Sequence, residues 1–496
     1  MEISLVNREF TVCQTGSQIR KRTQVSAECV VPDSQDDVGR VASVCSDLLL
    51  KGKDLSPHGV TVSGEVQAAV LYITEDGQGL SILRFSRPFT MEFETEEPDA
   101  EALPQITWSI SGTEVRVLNS RKLSLAFEVN AELCPYRKEQ FVVENSLPAG
   151  DWKKLHVKTR EQDARILSCV TEKAFSVHEQ FSFPAGKNTD GEHFYAQAAL
   201  HVLDTEQVGS RAIVKGELCL TVQGLNTEEC VPFSTVFHAP FSQLVEVGEG
   251  QAELFTVNAL PSTVYLDLID TISGEKAMDA EVHGVLQLCA WKREQVQVIE
   301  DAYSNLLPCQ CTFENRSLIT ELTVASTDLT SEERLGVSED CQDVLTIQPS
   351  LGSVESGTEQ LTLPVSLDIL YRDREGSLIP VRRSLALEGK PLPTGAQILN
   401  IWLENCDFRP EGSEITARLT ARIVWRRGTT GELSCVKAMT LQEDTPYDPQ
   451  TWPDLTLVRR QGEELWELAK TYHASVEAIV CCNAPEQELL LIPCER

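Results

Sequence analysis

The chain has 496 residues, with 43 Lys plus Arg against 75 Asp plus Glu, a formal net charge of −32. Nucleic-acid binding and polybasic attachment to anionic lipid both need a basic footprint, so this balance argues against either. Hydrophobic residues make up 42%, enough to bury a real core, and at about 150 residues per domain the length suggests three domains.

The opening stretch, MEISLVNREFTVCQTG, has no charged start followed by an apolar run, so no secretory signal is expected. No window approaches about 18 consecutive apolar residues, so no membrane span is expected either. Beyond it a hairpin pattern recurs. Around Gly64 the chain reads VTVSGEVQAAVLYITEDGQGL, around Gly216 AIVKGELCLTVQGLNTEEC, and around Pro364 QLTLPVSLDILYRDREGSL. Each is an alternating strand, a turn rich in Gly, Asp, Asn or Glu, and a second strand. The anchors lie 216 − 64 = 152 and 364 − 216 = 148 residues apart.

A long alternating strand follows each hairpin, over Asn119 to Leu133, Ser273 to Leu288 and Glu411 to Trp425. In the last, Ile415, Ala417, Leu419, Ala421 and Ile423 share one face, and Thr416, Arg418, Thr420 and Arg422 the other. Such alternation marks half-buried antiparallel strands. The expected fold is mostly β: three related antiparallel domains, read as sandwiches, over 1–150, 160–305 and 310–440.

The sixteen cysteines are scattered along a long chain. Cys13, Cys29, Cys45, Cys134, Cys169, Cys219, Cys230 and Cys289 lie mostly in strand-like runs, which reads as core thiols in a reducing cytosol rather than a disulfide framework. The histidines at 58, 156, 178, 193, 201, 238, 283 and 473 are dispersed too. There is no C-x-x-C; Cys309-Gln310-Cys311 and Cys481-Cys482 come nearest. No metal, no cofactor and no catalytic residue are expected, since ligand clusters, P-loop, G-x-G-x-x-G and G-x-S-x-G patterns are missing from the sequence. The expectation is a protein that is not an enzyme.

After a linker, 441–453, residues 454–496 change character. LTLVRR from Leu455 reads as a strand. GEELWELAKTY places Leu465, Leu468, Ala469 and Tyr472 at helical spacing, with Glu463 and Glu464 in the first turn. Ser475 is the expected N-cap of a second helix, SVEAIVCCN, and Leu489 to Ile492 a closing strand. Trp466 reads first as a core aromatic beside Leu465, and second as part of a partner-binding surface.

This tail resembles a LysM module over Gly462 to Tyr472, Ser475 to Asn483 and Leu489 to Pro493. In that family the loops after the first strand and before the last line a shallow glycan groove. The corresponding partner- or glycan-binding residues here are Gly462, Glu463, Glu464, Leu465, Trp466, Asn483 and Pro485. Glu463-Glu464 replaces the family's usual Asp-Thr, which points away from peptidoglycan or chitin and toward a protein.

The β repeats resemble the SPOCS family (domain of unknown function 3794). The likeness rests on VVPDSQDDVGRV, the VLY strand at Val70 to Tyr72, Pro88-Phe89, Arg121-Lys122, EKAFSVHEQFSFP from Glu172, and Asp301-Ala302-Tyr303-Ser304. SPOCS repeats followed by LysM are similar to the SipL-like family of spore-coat assembly proteins. The resemblance implies a non-catalytic scaffold in the mother-cell cytosol at the forespore surface, whose tail engages a SpoIVA-like coat ATPase. The alternative is a peptidoglycan or glycan binder acting through the tail.

Overall fold

The computed structural model describes all residues except 96–102, 151, 153, 185–186, 188, 190–192, 227–230, 271–275, 358, 461, 485–486 and 494–496. The first stretch forms β1 (Glu2–Ile3), β2 (Val6–Thr15), β3 (Ile19–Val30), β4 (Val38–Ser56), β5 (Gly59–Thr74), β6 (Leu80–Glu94), β7 (Gln105–Asn119), β8 (Lys122–Cys134) and β9 (Tyr136–Ser146). The second forms β10 (Leu155–Ser182), β11 (Phe194–Val208), β12 (Arg211–Leu225), β13 (Pro232–Glu246), β14 (Leu254–Asp270) and β15 (Lys276–Ser304). In the third stretch lie β16 (Cys309–Gly336), β17 (Cys341–Leu351), β18 (Glu355–Ser356), β19 (Leu361–Asp373), β20 (Leu378–Gly389), β21 (Gln397–Glu411) and β22 (Glu414–Leu441). The tail forms β23 (Leu455–Arg459), α1 (Leu465–Thr471), α2 (Val476–Cys482) and β24 (Leu489–Pro493).

The molecule is mostly β, and one strand order recurs. Sheet β3-β8-β7 shares a core with β4-β5-β6, and β10-β15-β14 shares one with β11-β12-β13. In the third stretch β16-β22-β21 shares a core with β17-β19-β20, and the single pair Thr330↔Glu388 links the two sheets. Period-two alternation produces these cores. Along β8, Leu123, Leu125, Phe127, Val129 and Leu133 all point inward, and along β12 so do Val214, Leu218, Leu220 and Val222. Each such side chain contributes about 1.5–3 kcal/mol by leaving water.

The repeat anchors have a packing reason. Phe89 lies opposite Gly64 and Phe241 opposite Gly216 on the neighbouring strand. A Cβ at Gly64 would stand 2.6 Å from the Phe89 ring, so the glycine leaves room for the aromatic. The Pro-Asp stretch has one as well. Arg121 donates to Asp37 at 2.8 Å, Asp33 at 3.0 Å and the Pro32 carbonyl at 2.9 Å, clamping that loop where β8 begins. The same guanidinium holds the Asp37 carboxyl below the usual range.

β10, β15, β16 and β22 are 28, 29, 28 and 28 residues long, or about 90 Å at the usual strand rise. Only part of each belongs to a sheet pair. The remainder runs on as a two-stranded ribbon, β10 with β15 and β16 with β22. In the first stretch the equivalent ribbon, β2 with β9, is detached from β3 and β8 where Gly16 N–H bonds the Pro135 carbonyl. The continuous ribbons carry register shifts between Leu167 and Cys169 and between Ile319 and Glu321, extra residues that add twist.

The three ribbons bury their apolar faces against one another. Cys13 and Tyr136 meet Leu167, Trp291 and Ile319. Phe141 and Val143 meet Ile166, Val298, Leu318 and Leu433. At the foot, Ile3 joins Ile299 and Met439, and β1 pairs β22 through Glu2↔Thr440 and Ile3↔Met439. Residues of all three stretches therefore share one stem. A buried ion pair also ties the first two stretches, Lys53 of β4 to Glu172 of β10, with side chains only 5% and 13% exposed. Burial pulls Lys53 below the usual lysine range despite Glu172.

Candidate functional site

In the tail, Leu468, Ala469, Ala474, Ile479, Leu490 and Ile492 form a small core between two helices and a two-stranded sheet. Ser475 caps α2 by accepting the Ala478 N–H at 3.1 Å. The first helix starts later than the sequence pattern suggests. It begins at Leu465, so Glu463 and Glu464 precede it and Glu467 is its first-turn acid. Glu464 occupies the N-cap position without a side-chain cap bond, because its carboxylate reaches Lys158 of β10 at 2.8 Å. That pairing lowers the Glu464 pKa and raises that of Lys158.

Trp466 turns toward the stem. Its indole N–H donates to Asp301 at 2.7 Å, and its ring meets Tyr303 edge-on at 4.8 Å. Lys470, one turn on, donates to both Asp301 oxygens at 2.9 and 2.7 Å. Tyr303 O–H donates to the Ala474 carbonyl at 2.7 Å, inside the tail core. The Asp301-Ala302-Tyr303 run is thus the stem's socket for the tail. Trp452 of the linker stacks flat on His473 at 4.1 Å, and Tyr447 adds a second ring. Burial pushes His473 below the usual histidine range.

The seven residues singled out in the tail therefore do different things. Leu465 and Trp466 pack in the tail core and against the stem rather than lining an open groove. Asn483 is a brace: its amide donates to Ile479 and Leu491 carbonyls and its oxygen accepts the Leu491 N–H, each at 2.7 Å. Gly462, with φ +101°, turns the chain into α1, and it and Glu463 are exposed. Pro485 lies outside the described residues. The pattern did not mark the outer face of the tail sheet. Leu455, Leu457 and Leu489 are 53%, 58% and 48% exposed there, opposite the face the helices cover.

No sequence pattern marked a cavity of about 910 Å³, lined mainly by β4, β7, β11, β14, β17 and β21, equivalent strands of the three stretches, with β3, β8, β19 and β20 contributing. Asp47, Trp108, His201, Arg382 and Trp402 face it. Asp47 accepts the Ala198 N–H at 2.9 Å, and burial pushes its carboxyl up to about 7. Among the described residues, one group of metal-ligating side chains gathers, Glu217, Cys219 and His238 on β12 and β13. No helix among the described residues is long and apolar enough to cross a membrane. Compared with models of known protein families, with curated proteins and with solved structures, the chain gives no match.

Proposed function

We propose that the chain is a non-catalytic scaffold of spore-envelope assembly, built from three SPOCS-like β domains and a LysM-like tail. The observation that carries this reading is the orientation of the tail. Its Trp466 side is committed to the stem, and its uncovered leucine face is presented outward from a fixed position. The patch also carries Arg459, which lies opposite Leu489 and pairs with Glu488 at 3.6 Å, and it suits a protein surface with an apolar centre. In this reading the partner is a SpoIVA-like coat-basement ATPase in the mother-cell cytosol, and the β domains meet other assembly factors. The altered Glu463-Glu464 step favours protein over glycan.

The test uses the full chain, the purified ATPase and insoluble peptidoglycan. Capture of the ATPase, lost in Leu457→Asp with unchanged circular dichroism, is expected. Pelleting with peptidoglycan and no ATPase capture overturns the reading in favour of glycan binding.

A further inference from the structure

The outer face of β11-β12-β13 brings together side chains that are far apart in sequence. Strand register sets His201 opposite Glu217, and Cys219 opposite His238. Glu217 and Cys219, two apart on β12, point to the same face because side chains alternate along a strand. The alternate residues Gly216, Leu218 and Leu220 point to the core, so the four polar groups lie outside it.

Their atoms form a tight set. Cys219 Sγ is 3.4 Å from His238 Nδ1 and 3.8 Å from Glu217 Oε2. The same carboxylate oxygen is 3.2 Å from His238 Nδ1. His201 Nδ1 stands 3.6 Å from the sulfur, its ring stacked on Trp402 of β21 at 4.7 Å. Zinc bonds of about 2.3 Å to sulfur and about 2.0–2.2 Å to nitrogen and oxygen place tetrahedral ligands about 3.4–3.6 Å apart. The observed edges scatter around those lengths. Cross-strand hydrogen bonds alone would need only pairs; here one sulfur, one imidazole and one carboxylate face a common point.

We propose that Cys219, His238 and Glu217 bind a divalent transition metal, zinc by preference, with His201 outside the ligand set and beside the sulfur. Thiolate and imidazole are the soft and borderline ligands that favour zinc over magnesium or calcium. Binding breaks the Cys219 S–H bond, forms a metal–sulfur bond and releases the proton to water. In the metal-free protein, burial and the neighbouring Glu217 push the thiol up to about 11. The metal must displace that proton, so affinity falls as pH falls. The metal would tie β12 to β13 beside the contact with β21.

The experiment titrates the demetallated full chain with Co²⁺. One equivalent should give a thiolate-to-cobalt band in the near ultraviolet with tetrahedral visible bands, and Zn²⁺ should abolish both. Cys219→Ser should remove the near-ultraviolet band, and His238→Gln should lose stoichiometric binding. His201→Gln should retain the band with affinity about tenfold lower or more. If Cys219→Ser does not fold, the exposed His238→Gln carries the test. A saturated protein without a thiolate band, or the same band in folded Cys219→Ser or His238→Gln, overturns the site.

Discussion

Trp466 donates its indole N–H to Asp301 at 2.7 Å across 165 residues of sequence. Because Lys470 grips the same carboxylate, one side chain of the stem holds two of the tail's first helix. Asp301→Ala should therefore release the tail while leaving both parts folded. The expected cost is about 1–3 kcal/mol of docking free energy. Limited proteolysis of linker 441–453 should accelerate, with the far-ultraviolet spectrum unchanged. An unaltered cleavage rate would show that the Tyr303 contacts and the Lys158–Glu464 pair hold the tail without Asp301.

Linker packing adds a pH dependence to that docking. His473 has its folded-state pKa lowered by burial between linker rings, so the stacked form is the neutral one. Its contribution is present above the ordinary value of 6.5 and is lost as pH falls through the lowered value. Acidification from pH 7 should raise linker cleavage, and His473→Phe should flatten the profile.

Asp47 has the opposite sign. Its folded-state pKa is raised from 3.8 to about 7, so its cost is nil below 3.8 and grows as pH rises to about 7. Asp47→Asn should stabilise the protein by about 2 kcal/mol at pH 8, the shift being discounted for water on the cavity side. Melting temperatures at pH 4 and pH 8 decide it, with the gain confined to the higher pH.

Lys53→Met should be among the most damaging changes at the buried contact between the first two stretches. It leaves Glu172 buried without its cation, at a cost of about 3–5 kcal/mol. The Lys53→Met, Glu172→Met pair should recover most of that loss in urea unfolding, since neither charge then remains.

Gly216→Val tests the repeat anchor. A Cβ at Gly216 would overlap both the Phe241 ring and the His201 carbonyl. Overpacking of this kind costs about 1–3 kcal/mol, and Phe241→Ala in the same chain should relieve part of it. Equal losses in the single and double variants would mean that backbone, not the ring, sets the limit.

The strands were legible wherever one face is apolar. Ile415, Ala417, Leu419, Ala421 and Ile423 are each fully buried, as their alternation demands. Ser475 was legible because a cap is a local contact. The stem was not, because its ribbons carry alternation like any strand, and nothing local says that Phe141, Val298 and Leu433 will meet. Trp466 was half legible: its packing beside Leu465 was read from the sequence, but its partner Asp301 belongs to a different fold element. α1 starts at Leu465, with Glu464 at its N-cap, and Lys158 engages the Glu464 carboxylate that would otherwise be free to cap. The ligand cluster on β12 was hidden since His201 and His238 approach Cys219 only through strand register.

The pairing of Ile3 with Met439 sets an order of events during synthesis. Translation at about 5–20 residues per second delivers Met439 only after roughly 20–90 s. Through that interval β1 lacks its strand partner β22, and the ribbons ahead of β16 and β22 expose unpaired edges and apolar faces. Nascent chains truncated before β22 should be cleaved by protease in β2, β9 and the lower parts of β10 and β15, and full-length chains should not. The surplus of acidic side chains then serves the ribosome-bound chain, keeping half-built stems on one polysome from annealing to each other.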